Sequence, residues 1–332
     1  MKPQRKTLVV LIGQDRELSR THPSLERNLL TPFQADLAFF GSKAETEPNF
    51  SFDYDWTQPE PEDWFQEIVN TGLNPRDIEA YQELHPQFFS GVGNTGYRGN
   101  GAIVHYWRYK LGKFLLPKLR ELPHEWFVIT RSDFLWTTPF PPIKNFAPER
   151  VYFLDGEHYS GVEDRFILFH KNWAENVLGV CTDLFERPEK SLGRLQNLDF
   201  LNAEVFLHSE WSRNGVMEKA RFIPYLGFLI RTPSTSTNRP NGVFDSCEGV
   251  FVKYPSEKRQ ATHYSRFIRR SEQWGEFPRR RPRAEALAAF TTWGLRRLGQ
   301  EISRWSYPAR RRWKTRIHRF LRALARFAHP IR

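Results

Sequence analysis

The segment Trp126-Phe-Val-Ile-Thr-Arg-Ser-Asp-Phe-Leu-Trp136 constrains the fold most. Trp126 to Ile129 is a short apolar run, the composition of a strand buried on both faces. It breaks abruptly into Arg131-Ser132-Asp133. A strand that ends in charge sets that charge at the carboxyl edge of a sheet, where open α/β sheets bind ligands. A carboxylate there can hold a hard divalent cation, and an arginine can grip phosphate through its planar fork. An Arg–Asp pair that only caps a loop has the same local sequence.

Other segments repeat the pattern. Thr7 to Ile12 is a β-rich run that leads into Gly13-Gln14-Asp15-Arg16. Ala35 to Phe40, closed by Gly41, reads as a second strand, with a short helix over Pro23–Pro32 and Ser24 as its N-cap. A strand–helix–strand unit this early predicts a doubly wound, mostly parallel α/β sheet. Residues 42–100 carry no clear period. Gly91 to Gly101 holds five glycines in eleven positions, which permits close backbone approach to a ligand or an open loop. It lacks the Gly-Lys-Ser/Thr ending of a Walker loop. Ala102–Leu122 reads as a helix interrupted near Pro117. Val151–Leu154 and Phe166–Phe169 read as strands, Asn172–Arg187 and Asn202–Ser212 as helices, and Arg221–Arg231 as one or two strands around Gly227.

Charge divides the chain. From Arg279 to Arg332 there are sixteen Lys/Arg and two Glu, while the preceding residues carry 33 basic and 36 acidic side chains. The expected organisation is a catalytic or binding domain over 1–231, an extended linker over 232–282 and basic amphipathic helices over 283–332. In the last of these, Trp313, Ile317, Phe320, Leu321, Leu324 and Phe327 share a face opposite Arg312, Arg319, Arg322 and Arg326. That pattern suits an anionic membrane surface, or a helical hairpin packed on its own domain. Two cysteines give no disulfide framework or thiolate zinc site, and no apolar stretch reaches membrane-spanning length. A cytoplasmic protein, peripheral on the inner face of the plasma membrane, is expected.

The Gly-Gln-x-Arg loop, the Asp36 strand, Thr-Arg-Ser-Asp-Phe, and Asp155-Gly-Glu-x-Tyr-x-Gly-x-x-Asp-Arg165 together resemble bacterial GT-A-type glycosyltransferases of lipopolysaccharide and capsule synthesis, over roughly 7–231. Asn202-Ala-Glu204 and the late Arg231 add to the resemblance. It implies a GT-A-like fold with a C-terminal helical extension, and a hexosyltransferase-like activity that uses a nucleotide-sugar donor and a glycan or lipid-linked acceptor. It implies donor contacts from Gly13, Gln14, Arg16, Asn100, Arg131, Asp133 and Arg165. It also implies a divalent cation, Mn or Mg, on Asp133. Arg131 stands where the first carboxylate of the usual Asp-x-Asp pair would be, so arginine can take over part of the metal's role. An inverting enzyme needs a carboxylate base, and Asp164 and Glu204 are the candidates. Two other classes fit the sequence. One is a nucleic-acid-binding protein with a basic tail, which the net-negative body disfavours. The other is a non-catalytic nucleotide-sugar-binding relative.

Overall fold

A computed structural model describes residues 6–44, 48, 50–85, 88–89, 101–156, 158–231 and 242–271. Its strands are β1 Thr7–Ile12, β2 Ala35–Gly41, β3 Tyr54–Thr57, β4 Trp126–Thr130, β5 Phe134–Trp136, β6 Val151–Asp155, β7 Phe166–His170, β8 Ala220–Pro224, β9 Gly227–Arg231, β10 Val243–Asp245 and β11 Val250–Val252. Seven of them form one sheet in the order β3–β2–β1–β4–β7–β6–β8. The pairs β2–β3, β1–β2, β1–β4 and β6–β8 are parallel. Strand β7 runs against both its neighbours. The fold is therefore α/β with a mostly parallel central sheet, as the early strand–helix–strand unit predicts.

The apolar runs explain the sheet's centre. Leu8 to Leu11 and Phe127 to Ile129 are fully buried, so both faces of β1 and β4 are covered. A buried backbone must pair its polar groups, and adjacent strands do this. The helix Gly101–Leu115 contributes Ala102, Tyr106, Leu111 and Leu115 to the same core. Phe127 and Phe169 stack across the β4–β7 seam at 5.8 Å between ring centroids.

A second, antiparallel sheet has the order β10–β11–β9–β5. Three residues separate the end of β4 from the start of β5, so Arg131-Ser132-Asp133 is the joint between the two sheets. The described part of 232–282 is thus not an extended linker. Residues 242–271 supply β10, β11 and the helix Pro255–Ser271, and they belong to one compact unit with the rest of the chain up to Glu272. The boundary expected at 231 cuts through the second sheet.

Several local expectations change. The first helix begins at Leu18, not Pro23, and continues through a π-turn at Glu26–Leu30. Ser24 lies inside it, where its hydroxyl donates to the Thr21 carbonyl and accepts from the Trp136 N–H. Residues 42–100 contain β3 and two helices, Trp64–Asn70 and Pro75–Leu84, N-capped by Asp63 and Asn74. Asn172–Arg187 is a chain of short turns of helix. The amphipathic segments expected over 283–332 and the glycine-rich stretch before Gly101 lie outside the described residues.

Candidate active site at the sheet edge

Three charged segments meet at one edge because of strand direction. Gly13–Arg16 follows β1, and Arg131–Asp133 follows the parallel β4. Glu163–Arg165 precedes β7, whose reversal puts its start beside the end of β4. The Thr130 hydroxyl seals this by donating to the Arg165 carbonyl at 2.9 Å. Ser132, which sequence reasoning passed over, knits the first two loops together. Its hydroxyl is shared between the carbonyls of Gln14 at 2.8 Å and Arg16 at 3.0 Å. Gly13 takes a φ of +94°, a left-handed conformation that favours glycine.

Asp133 is the hub. Its side chain is 1% exposed. Arg131 grips it with two bonds, Nε to Oδ1 at 2.8 Å and Nη2 to Oδ2 at 2.7 Å. Arg231, at the end of β9, also donates to Oδ2. Burial alone would raise this carboxyl, but Arg131 and Arg231 outweigh it and hold Asp133 well below the usual carboxylate range. Arg16 and Lys253 complete the group. Arg16 is held below its ordinary value by burial and by Arg131 and Arg231, against the pull of Asp133. Burial, with Arg231 and Arg131 as like charges, lowers Lys253 to about 7. Among the described residues the charged ends of Arg16 and Lys253 have no hydrogen-bonding or ion-pair partner; Lys253 Nζ lies 4.9 Å from the centre of the Tyr254 ring. Four cationic side chains thus surround one carboxylate.

Carboxylates stand beside this basic group. Asp164 pairs with Arg108 at 3.0 Å, and the same Nη2 donates to the Asp164 carbonyl at 2.6 Å. Burial would raise Asp164, yet Arg108, Arg165 and Arg131 together lower it. Glu204 has no such anchor. It lies in the first turn of the helix Ala203–Arg213, which Asn202 caps. Burial and the neighbouring Asp164 charge push Glu204 up to about 7. Glu163, buried beneath them, is pushed up to about 8 by burial, against Arg165.

The structure distributes the expected site residues unevenly. Arg16, Arg131 and Asp133 converge, and Asp164 lies within electrostatic reach of Arg131. Gly13 and Gln14 shape the loop through backbone atoms. Arg165 is turned inward, 5% exposed, between Glu163 at 2.6 Å, Glu257 at 2.7 Å and Tyr225 at 2.9 Å. Its Nε and Nη1 are engaged in this network, which ties β7 to the helix Pro255–Ser271. Asn100 lies outside the described residues. Asp36 is a partner of the buried His124 at 2.8 Å.

A divalent cation does not fit at Asp133. Both carboxylate oxygens already accept from guanidinium groups, and the surrounding charges are cationic. Among the described residues no group of three or more His, Cys, Asp or Glu is placed to hold a metal ion.

No family model matches the chain, and no curated protein matches it. Among solved structures it is similar to apo mouse xyloside xylosyltransferase 1, at 12% identity and a TM-score of 0.37, over 66% of this chain and 85% of that one. A likeness at that score carries no argument about this chain's chemistry.

Proposed function

We propose that the protein is a glycosyltransferase. It takes a sugar from a nucleoside-diphosphate donor and passes it to a hydroxyl of a lipid-linked glycan or polysaccharide end in cell-surface polysaccharide synthesis. The observation that carries this reading is the juxtaposition at one sheet edge of a net-cationic cluster and an ionisable carboxylate. The cluster is Arg16, Arg131, Arg231 and Lys253 around Asp133, and the carboxylate is Glu204 beside Asp164.

The chemistry needs both halves. Glu204 takes the proton of the acceptor hydroxyl. The acceptor oxygen bonds to the anomeric carbon as the bond from that carbon to the diphosphate oxygen breaks. The electron pair departs with the diphosphate, and preorganised cations stabilise the added negative charge. Glu204 suits the base role better than Asp164. A base works best with a value near the operating pH, whereas Asp164 is anchored by Arg108 and lowered.

The full chain should release nucleoside diphosphate from at least one member of a nucleotide-sugar panel, and that donor should raise its melting temperature. If none is turned over with any of a range of glycan acceptors, and none protects against unfolding, the reading fails.

A further inference from the structure

The misfit between Asp133 and a metal ion has a positive counterpart. We propose that the pocket binds the diphosphate group directly, without a divalent cation, with Arg16 and Lys253 as the free contacts and Asp133 as the residue that positions Arg131 and Arg231. This rests on the glycosyl-transfer reading for its biological substrate but not for its physics.

The cations gather at the joint between the sheets. Arg131 comes from the end of β4, Arg231 from the end of β9 and Lys253 from the residue after β11. Strands β9 and β11 pair with Phe251 opposite Arg231 and Val252 opposite Ile230, and the Lys253 N–H continues the ladder to the Leu229 carbonyl at 3.0 Å. Residues two apart on a strand share a face, so Lys253 and Arg231 project from the same side of the second sheet. Arg16 arrives from the central sheet on the loop that Ser132 ties to β4. Four chain segments distant in sequence thus bring their cations to one place.

Asp133 is the one carboxylate bonded to them, with Glu60 acting on Arg16 and Asp164 on Arg131 from further off, and Asp164 is itself paired with Arg108. Like charges crowded out of water repel and lose hydration, so such a cluster is costly without an anion. Asp133 instead performs a geometric task. By accepting from two of the three guanidinium nitrogens of Arg131 and one of Arg231, it fixes two planar forks whose remaining N–H groups are left to point elsewhere. Arg131, 31% exposed, has the free edge for this. Among the described residues Arg16 and Lys253 have no hydrogen-bonded or ion-paired counter-ion to give up. A diphosphate, with negative charge spread over several oxygens, matches a net excess of cations that are themselves mutually repelling. A Mn or Mg ion would add to that repulsion.

Inorganic diphosphate is the probe, since it reads the pocket whatever the base or sugar. The full chain should bind it by titration calorimetry in excess EDTA, and adding Mn or Mg should not tighten binding beyond the loss of free diphosphate to the metal. Lys253→Met should weaken binding by about tenfold or more, while the free protein's melting temperature is unchanged or raised, because an unpaired half-buried charge is removed. Lys253→Arg should recover part of the affinity. The basic tail is common to all these proteins, so the difference between them reports the pocket alone. No binding in EDTA, binding that requires the metal, or an unaltered affinity in Lys253→Met overturns the proposal. Metal-free diphosphate binding without turnover of any nucleotide sugar would leave it standing and remove the glycosyltransferase reading. Turnover that needs a metal would do the reverse.

Discussion

At the scale of single residues, the site is decided by which charges have partners. Asp133 looked from its place in the chain like a ligand-contacting carboxylate. Its burial and its double arginine grip make it structural as well. Breaking a buried pair leaves uncompensated charge and costs about 3–5 kcal/mol. Asp133→Asn is therefore expected to lower the midpoint of chemical denaturation as well as diphosphate affinity; unchanged stability would mean the guanidiniums do not depend on it. Glu204 carries the opposite prediction. Its value in the fold, about 7, lies above the ordinary 4.5. A carboxyl raised on folding binds protons more readily in the native state, so stability falls as pH rises from about 4.5 through about 7. Glu204→Gln removes its share of that dependence and leaves the share of Glu163, which is raised to about 8. The variant should be at least as stable as the parent at pH 8, keep diphosphate binding and lose turnover. The parent's turnover should rise with pH through about 7 as Glu204 ionises. If Glu204→Gln turns over donor normally, the base lies elsewhere. Asp164→Asn should instead lower the melting temperature, because it strands Arg108.

At the scale of elements, the loop before β7 is held against the helix that carries Glu204. The Val162 N–H donates to the Glu204 carbonyl, and Asn202 Nδ2 donates to the Tyr159 carbonyl at 2.9 Å. Tyr159 and Ser160 both take positive φ, a costly arrangement that these contacts sustain. Gly161 allows the approach: a Cβ there would meet the Glu204 carbonyl carbon and oxygen at 2.0 Å. Backbone cannot swing aside as a side chain can, so Gly161→Ala should cost about 1–3 kcal/mol and impair turnover more than diphosphate binding. Equal loss of both would show that the loop supports the whole pocket. The same elements explain what the sequence did and did not reveal. Strands β1, β2, β4 and β6 are apolar runs bounded by Gly, Pro or charge, and their composition announces them. The reversal of β7 is hidden because Phe166–His170 has no directional mark. Strand β3 alternates half-buried and exposed residues within a Pro- and acid-rich stretch, and β5 and β11 are three residues each. The helix Pro255–Ser271 turns Glu257, Ala261 and Ser265 inward, a stripe too polar to register as an apolar face. Arg131 and Asp133 are legible because they are adjacent in sequence. The Arg231–Asp133 pair spans 98 residues, and no local pattern joins Lys253 or Arg108 to the site.

At the scale of the whole molecule, charge separates two tasks. The compact unit ends at Glu272, and its buried hydrophobic residues run from Leu8 to Ala261. The cationic excess lies beyond it, sixteen basic residues against two acidic from Arg279 onward. If the protein transfers sugar to a lipid-linked acceptor, as proposed, it gains by residing at the surface that holds that acceptor. Each basic residue near an anionic leaflet contributes about 1 kcal/mol, so a handful acting together suffices for attachment before any apolar insertion. That attraction is screened over about 10 Å at 0.1 M salt, whereas apolar burial is not. Chains ending at Glu272 should therefore fold with an undiminished melting temperature and bind inorganic diphosphate with the pocket's affinity. They should no longer sediment with vesicles containing anionic phospholipid, while the full chain does so and releases in part as salt is raised. Loss of the fold on truncation would mean that the terminal residues pack on the body. Retained sedimentation would place the membrane contact within residues 1–272. Tighter binding of the full chain to oligonucleotides than to vesicles, at the same salt, would assign the basic segment to nucleic acid.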